Sequence, residues 1–219
     1  VLDLMFAKEF LRSHRQTGAV APSGEALARA LTRYVRPDHR TGTPRAVLEV
    51  GPGTGSVTRH IAARLGPRDT LDLVEANPRF ASRLSAALVD DPALRPAADR
   101  IRVHAGLIQE WPLDRYDAIV CGLPFANFDP DTVRSILRVL LGALAPDGTL
   151  SFFAYAGLPA LRRSLTTGRA HAQSVAVQGV LAAVLRDHRF RHEFVPANLP
   201  PARVHHLAAT PTRVVAAAL

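Results

Sequence analysis

The sequence predicts an α/β fold, a mostly parallel sheet covered by helices. Two observations predict it. From Thr43 onward, short β-branched or apolar runs alternate with amphipathic runs, and the first apolar run enters a glycine-rich turn that opens a helix. Candidate strands are 46–50, 70–75, 101–105, 117–121 and 149–154. Helices are expected between them at about 57–65, 78–89 and 131–144, because apolar residues there recur at helical spacing. The turn Ala145-Pro146-Asp147-Gly148 ends the last of these with breaker residues. After Tyr155 the pattern changes to a helix near 174–186, followed by two late strands at 190–195 and 203–207.

A chain of 219 residues with 47% hydrophobic content buries one sizeable core and is short for two independent domains. The expected division is an N-terminal helical extension over 1–42, then one domain over 43–219. In the extension, helices near 2–13 and 24–35 flank Gln16-Thr17-Gly18-Ala19-Val20-Ala21-Pro22-Ser23, where Ser23 is a plausible N-cap and Glu25 suits the first turn. Leu2, Met5, Phe6 and Phe10 fall on one side of the first helix, with Lys8, Arg12 and Arg15 around the other, so it can pack on the core or lie on a membrane.

No apolar run reaches the roughly 18 residues that span a bilayer, and residues 1–11 do not have the pattern of a secretory signal. Cys121, the sole cysteine, reads as a buried structural thiol in a reducing compartment. A cytoplasmic location and a monomeric state are the default expectations. Net charge is +8, and Lys8 is the one lysine among 27 basic residues. An arginine excess of this kind reflects coding bias, or attraction to the dense phosphates of nucleic acid or acidic lipid headgroups.

Val47-Leu48-Glu49-Val50-Gly51-Pro52-Gly53-Thr54-Gly55 is a buried strand entering a turn that opens a helix. Missing β-carbons let the chain turn tightly and let a cofactor lie against the backbone. No GK[ST] follows, and the spacing is G-x-G-x-G rather than G-x-G-x-x-G, which demotes ATP and NAD. The second strand ends at Glu75, about twenty residues after the glycines, where a carboxylate can accept hydrogen bonds from both ribose hydroxyls. Glu49, just before the glycines, can orient the loop and an ammonium group.

This pattern resembles motifs I and II of class I S-adenosylmethionine-dependent methyltransferases. The resemblance implies a Rossmann-like, seven-stranded, mostly parallel sheet sandwiched by helices, with a late antiparallel strand, and S-adenosylmethionine as methyl donor. It nominates Glu49, Gly51, Gly53, Gly55, Glu75, Ala76, Gly106, Leu107 and Gly122 for the cofactor. Many members carry an acidic residue near Leu107. Here Ala105-Gly106-Leu107-Ile108 departs from that pattern and offers no side-chain contact to the adenine amino group, for which a backbone carbonyl can serve instead.

Phe10-Leu11-Arg12, Gly18-Ala19-Val20-Ala21-Pro22-Ser23, Gly122-Leu123-Pro124-Phe125 and Asn198-Leu199-Pro200-Pro201-Ala202-Arg203-Val204 together look like the bacterial phospholipid N-methyltransferases, which methylate phosphatidylethanolamine. By that resemblance the N-terminal helix meets an anionic membrane surface, the enzyme is peripherally membrane-associated, and Ser23 lies near the cofactor. The alternative is an RNA adenine N6-methyltransferase similar to the ribosomal RNA dimethylases. Those carry [ND]-P-P-[YF] where this chain has Gly122-Leu123-Pro124-Phe125, which lacks the polar acceptor, so nucleic acid ranks second.

Methyl transfer from a sulfonium is an in-line displacement by a neutral amine, so positioning and desolvation are the protein's main tasks. Tyr155, ending the fifth strand, is the leading catalytic candidate, with a core aromatic as its other reading. Trp111 and Phe125 can border the acceptor, and Asn198 and Arg203 can meet a lipid phosphate. The histidines show no metal-ligand spacing, and no metal is expected.

Overall fold

The computed structural model describes residues 24–36, 42–112, 114–156 and 168–210. Seven strands form one sheet: β1 (Ala46–Val50), β2 (Thr70–Glu75), β3 (Ile101–Ala105), β4 (Tyr116–Cys121), β5 (Leu144–Tyr155), β6 (Arg189–Val195) and β7 (Ala202–Ala208). Their order is β3-β2-β1-β4-β5-β7-β6. The first five are mutually parallel, and β7 runs antiparallel to both of its neighbours. The expected sheet and its late antiparallel strand are therefore present.

Alternation along the strands sends side chains to two cores. Val47, Leu71, Leu73, Ala118, Val120 and Val204 face α1 (Glu25–Leu31) and α2 (Ser56–Ala62). Leu48, Val50, Val74, Ile119, Leu150 and Phe152 face α4 (Pro130–Gly142) and α5 (Gly168–His188). Between β2 and β3 the chain forms α3 (Pro78–Asp90), which starts cleanly because Asn77 Oδ1 accepts the Arg79 N–H at 3.0 Å and Pro78 occupies the first turn. α4 begins the same way, with Asp129 accepting from Asp131 and Thr132 ahead of Pro130.

Among the boundaries that differ from expectation, three change the reading. β5 begins at Leu144, and Ala145-Pro146-Asp147-Gly148 bulges out of it: Tyr116 pairs with Leu144, and the next pair is Ala118 with Thr149. The breaker residues thus interrupt a strand ladder, and the helix they were expected to end stops before them, at Gly142. α5 starts at Gly168, earlier than apolar spacing indicates. α1 has Gly24 as its N-cap, without a side-chain cap, so the expected N-cap role of Ser23 does not hold. Ser23 itself and the helix expected over 2–13 lie outside the described residues.

α1 is continuous with the domain, because Leu27, Ala28, Leu31 and Val35 are buried in the same core as Val47 and Ile61. A polar chain anchors it as well. Arg33 donates to Glu193 at 2.6 Å, Glu193 lies 3.1 Å from His206 Nε2, and His206 Nδ1 is 2.9 Å from Ser151 Oγ. His206 is therefore a satisfied core histidine. Cys121 is fully buried, and burial pushes its thiol up to about 12, leaving it inert near neutral pH.

Candidate active site

The strand order reverses between β1 and β4, which opens a crevice at their carboxyl ends. Backbone geometry builds its floor. Gly51, Gly53 and Gly55 have φ of 70°, 57° and 80°, a left-handed region that L side chains rarely adopt. β1 and β4 approach so closely that a β-carbon on Gly122 would lie 2.7 Å from the Gly51 carbonyl oxygen, and one on Gly51 would lie 2.7 Å from Leu123. The Gly122 N–H donates to the Val50 carbonyl at 2.8 Å. Gly53 and Gly106 differ from these, since nothing lies within 4 Å of where their β-carbons would stand. Their missing side chains leave room for a bound molecule.

Two carboxylates end adjacent strands. Glu75 is fully buried, and its two oxygens accept the Gly53 N–H at 3.0 Å and the Asn77 N–H at 2.8 Å. It therefore clamps the glycine loop while keeping lone pairs for a ligand. Burial raises its pKa, and those two backbone hydrogen bonds oppose the rise. Glu49 accepts the Thr58 hydroxyl at 2.7 Å. Burial pushes Glu49 up to about 8; the Thr58 bond opposes this and the charge of Glu75 adds to it. A buried acid so poised gains from a cation seated beside it.

From these residues a cleft opens toward α4. Of the expected cofactor residues, Gly51, Glu75, Ala76, Gly106 and Leu107 line it. The rest of the wall is mostly apolar: Val50, Val74, Ile108, Leu123, Phe128 and Ile136, with Gln109. These were not singled out in the sequence. Ile108 and Gln109 follow Gly106-Leu107 directly, but Phe128 and Ile136 come from α4 and the turn before it, and only packing brings them here. An apolar slot next to a carboxylate with spare acceptor capacity, with open space over Gly53 and Gly106, fits an adenine, a ribose and an amino-acid chain. S-adenosylmethionine fits this donor set.

The expected acceptor-side residues separate in the fold. Tyr155 is half-buried, its ring edge-on to Phe153 at 5.1 Å, and its hydroxyl has no hydrogen-bond partner among the described residues. Burial raises its pKa, so it stays protonated and able to donate. Phe125 is a correction: it is buried edge-on against Phe152 at 5.3 Å, a core side chain, while Phe128 faces the cleft. Trp111 lies against His104 with ring centroids 3.9 Å apart, and is likewise packing.

Asn198 is a second correction. It is buried, its Oδ1 accepts the Gly24 N–H at 3.2 Å and its Nδ2 donates to the Pro200 carbonyl at 2.7 Å, so its amide is spent inside the chain. Arg203 is exposed on β7 between Ala154 and Phe194, apart from the cleft lining. Among the described residues, no group of three or more His, Cys, Asp or Glu is placed to hold a metal ion. No helix of the described residues is long and apolar enough to cross a membrane.

Comparison with known proteins agrees with this geometry. A family model described as a methyltransferase domain matches residues 48–150. An ornithine lipid N-methyltransferase of Singulisphaera acidiphila is 28% identical over 147 residues, covering 67% of this chain and 74% of that protein. The O-methyltransferase TomG of Streptomyces achromogenes, solved with S-adenosylmethionine, superposes with a TM-score of 0.62 at 15% identity, over 92% of this chain and 88% of that one. A Bacillus cereus O-methyltransferase in complex with S-adenosylhomocysteine gives a TM-score of 0.61 at 13% identity, over 92% and 90%. At such identities the two structures establish the fold alone. Residues 48–150 thus match a methyltransferase domain, and the sheet has the fold of methyltransferases solved with this cofactor, which supports an S-adenosylmethionine-dependent enzyme.

Proposed function

We propose that this methyltransferase acts on the primary amine of a membrane-lipid headgroup, a class that includes ornithine lipid and phosphatidylethanolamine. The observation that carries it is the lipid N-methyltransferase relative, whose similarity covers two thirds of this chain. Phosphatidylethanolamine is the narrower expectation, and the relative favours the amine class over that one lipid. The sequence after β4 points the same way: Gly122-Leu123-Pro124-Phe125 lacks the side-chain acceptor that grips an adenine amine, and Phe125 is turned into the core.

When bound, S-adenosylmethionine supplies an electrophilic methyl on a sulfonium. The chain's own residues do the positioning. Glu75 takes the ribose hydroxyls while holding Gly53, and Glu49 pairs with the ammonium group of the amino-acid chain. The apolar wall from Val74 to Ile136 holds the flat base and excludes water, which strengthens each of these polar contacts. The Tyr155 hydroxyl, protonated and without a hydrogen-bond partner among the described residues, orients the headgroup. The acceptor amine loses its proton to water before attack, because its lone pair must be free.

Turnover of methyl-labelled cofactor with detergent-solubilised ornithine lipid, phosphatidylethanolamine and a structured RNA tests this. Label is expected in the lipid amines, and label in RNA alone overturns the assignment. Tyr155→Phe is expected to lower kcat about tenfold, the equivalent of about 1.4 kcal/mol, at unchanged cofactor affinity.

A further inference from the structure

We propose that the β6–β7 loop, with Leu199 at its exposed surface and Phe194 beside it, is a membrane-docking surface that seats the mouth of the active site on an anionic bilayer. The proposal rests on the lipid-amine function. Leu199 is 85% exposed and Phe194 55%, and Phe194 pairs across β6–β7 with the exposed Arg203. Two large apolar side chains next to a guanidinium are the elements of interfacial binding, an apolar wedge with a cation for the phosphates.

Position gives this patch its significance. β6 runs parallel to β5, so Val195 and the loop that follows lie at the same end of the sheet as Tyr155 and the cofactor crevice. The loop is tied to its surroundings at two points. Asn198 accepts from Gly24, where the chain enters α1, and the Ala156 N–H donates to the Pro201 carbonyl at 2.7 Å, where the chain leaves β5.

Charge adds to the apolar patch. No acidic residue occurs between Glu9 and Glu25, between Asp147 and Asp187, or between Glu193 and Leu219. These three stretches hold eight arginines, and the other 19 basic residues match the 19 acidic ones. Arg203, one of these eight, stands beside Phe194, and the chain as a whole carries +8. Each cation near an anionic surface adds attraction that falls off within a Debye length. RNA would also be drawn to such charge, but a leucine and a phenylalanine turned to solvent beside it match acyl chains.

Flotation of the purified chain with phosphatidylcholine vesicles, with and without phosphatidylglycerol, tests this. Wild type is expected to float with the anionic vesicles and to detach as salt is raised. Leu199→Asp with Phe194→Asp is expected to weaken flotation at least tenfold and to lose methylation of lipid in vesicles. The same variant keeps its melting temperature, its cofactor affinity and its turnover on detergent-solubilised lipid. Equal flotation of the variant, or a wild type that binds structured RNA and ignores vesicles, overturns the docking surface. Flotation that behaves as described, with no methylation of any lipid amine, instead overturns the proposed function and leaves the docking surface standing.

Discussion

The polar contacts of the two site carboxylates are short in sequence, whereas those that tie α1 to β6 and the loop after it are long. Glu75 reaches Asn77 two residues on, Glu49 reaches Thr58 nine on, and Glu75 reaches Gly53 across 22. At the other end of the sheet, Arg33 meets Glu193 across 160 residues and Gly24 meets Asn198 across 174. The first region is a cradle made by one strand, one turn and the next strand. The second is a clasp that exists only when the first helix and the last hairpin have come together. A motif can encode a cradle, because its parts are covalent neighbours; a clasp depends on the rest of the fold being in place.

Substitutions separate the two. The largest effect is expected where the end of β4 meets the cradle, from Gly122→Val, because the new β-carbon would meet the Gly51 backbone carbonyl at 2.7 Å and backbone cannot swing aside. A loss of about 3 kcal/mol is expected in urea unfolding, at the upper end for overpacking. Glu75→Ala comes next. It removes the ribose acceptor and the clamp on Gly53, so calorimetry is expected to show at least tenfold weaker cofactor binding, from about 1.5–3 kcal/mol of charged hydrogen bonds. Unchanged binding would remove Glu75 from the site.

Glu49 gives the cradle a pH signature. Its folded pKa of about 8 lies above the ordinary 4.5, so its stabilising contribution is complete below 4.5 and is lost as pH rises through 8. Without cofactor, the melting temperature of the wild type is expected to fall relative to Glu49→Gln over that window. Cofactor affinity is expected to move the other way in the wild type, rising up to about tenfold per unit toward pH 8 as Glu49 ionises against the ammonium. The Gln variant should show neither trend. A wild-type profile as flat as that of the variant would mean that Glu49 shapes the loop and does not meet the ligand.

The smallest effect is expected at the clasp. Asn198→Ala leaves the Gly24 N–H without its partner, for about 1–2 kcal/mol in urea unfolding, with cofactor affinity unchanged because no cradle contact is touched. A large loss of cofactor binding in this variant would show that the two regions are coupled.

Glu49, the three glycines and Glu75 were legible in the sequence because strand, turn and helix leave period and composition marks on a few consecutive residues. So were β1, β2 and β3, whose bounds match their apolar runs. Phe128 and Ile136 were not, since the spacing that makes α4 amphipathic does not say which of its residues meet the cleft and which meet β5. Phe125 looked like a substrate wall because its place after β4 is where such residues stand, yet it is turned onto Phe152, a partner that sequence distance hides. Asn198 looked like a ligand group for the same reason. Local order follows from the chain's own periodicity and backbone sterics, while the direction of a side chain after a strand, and whether its polar atoms are already spent, depend on neighbours that only the tertiary fold brings up, such as Phe152 for Phe125 and Gly24 for Asn198.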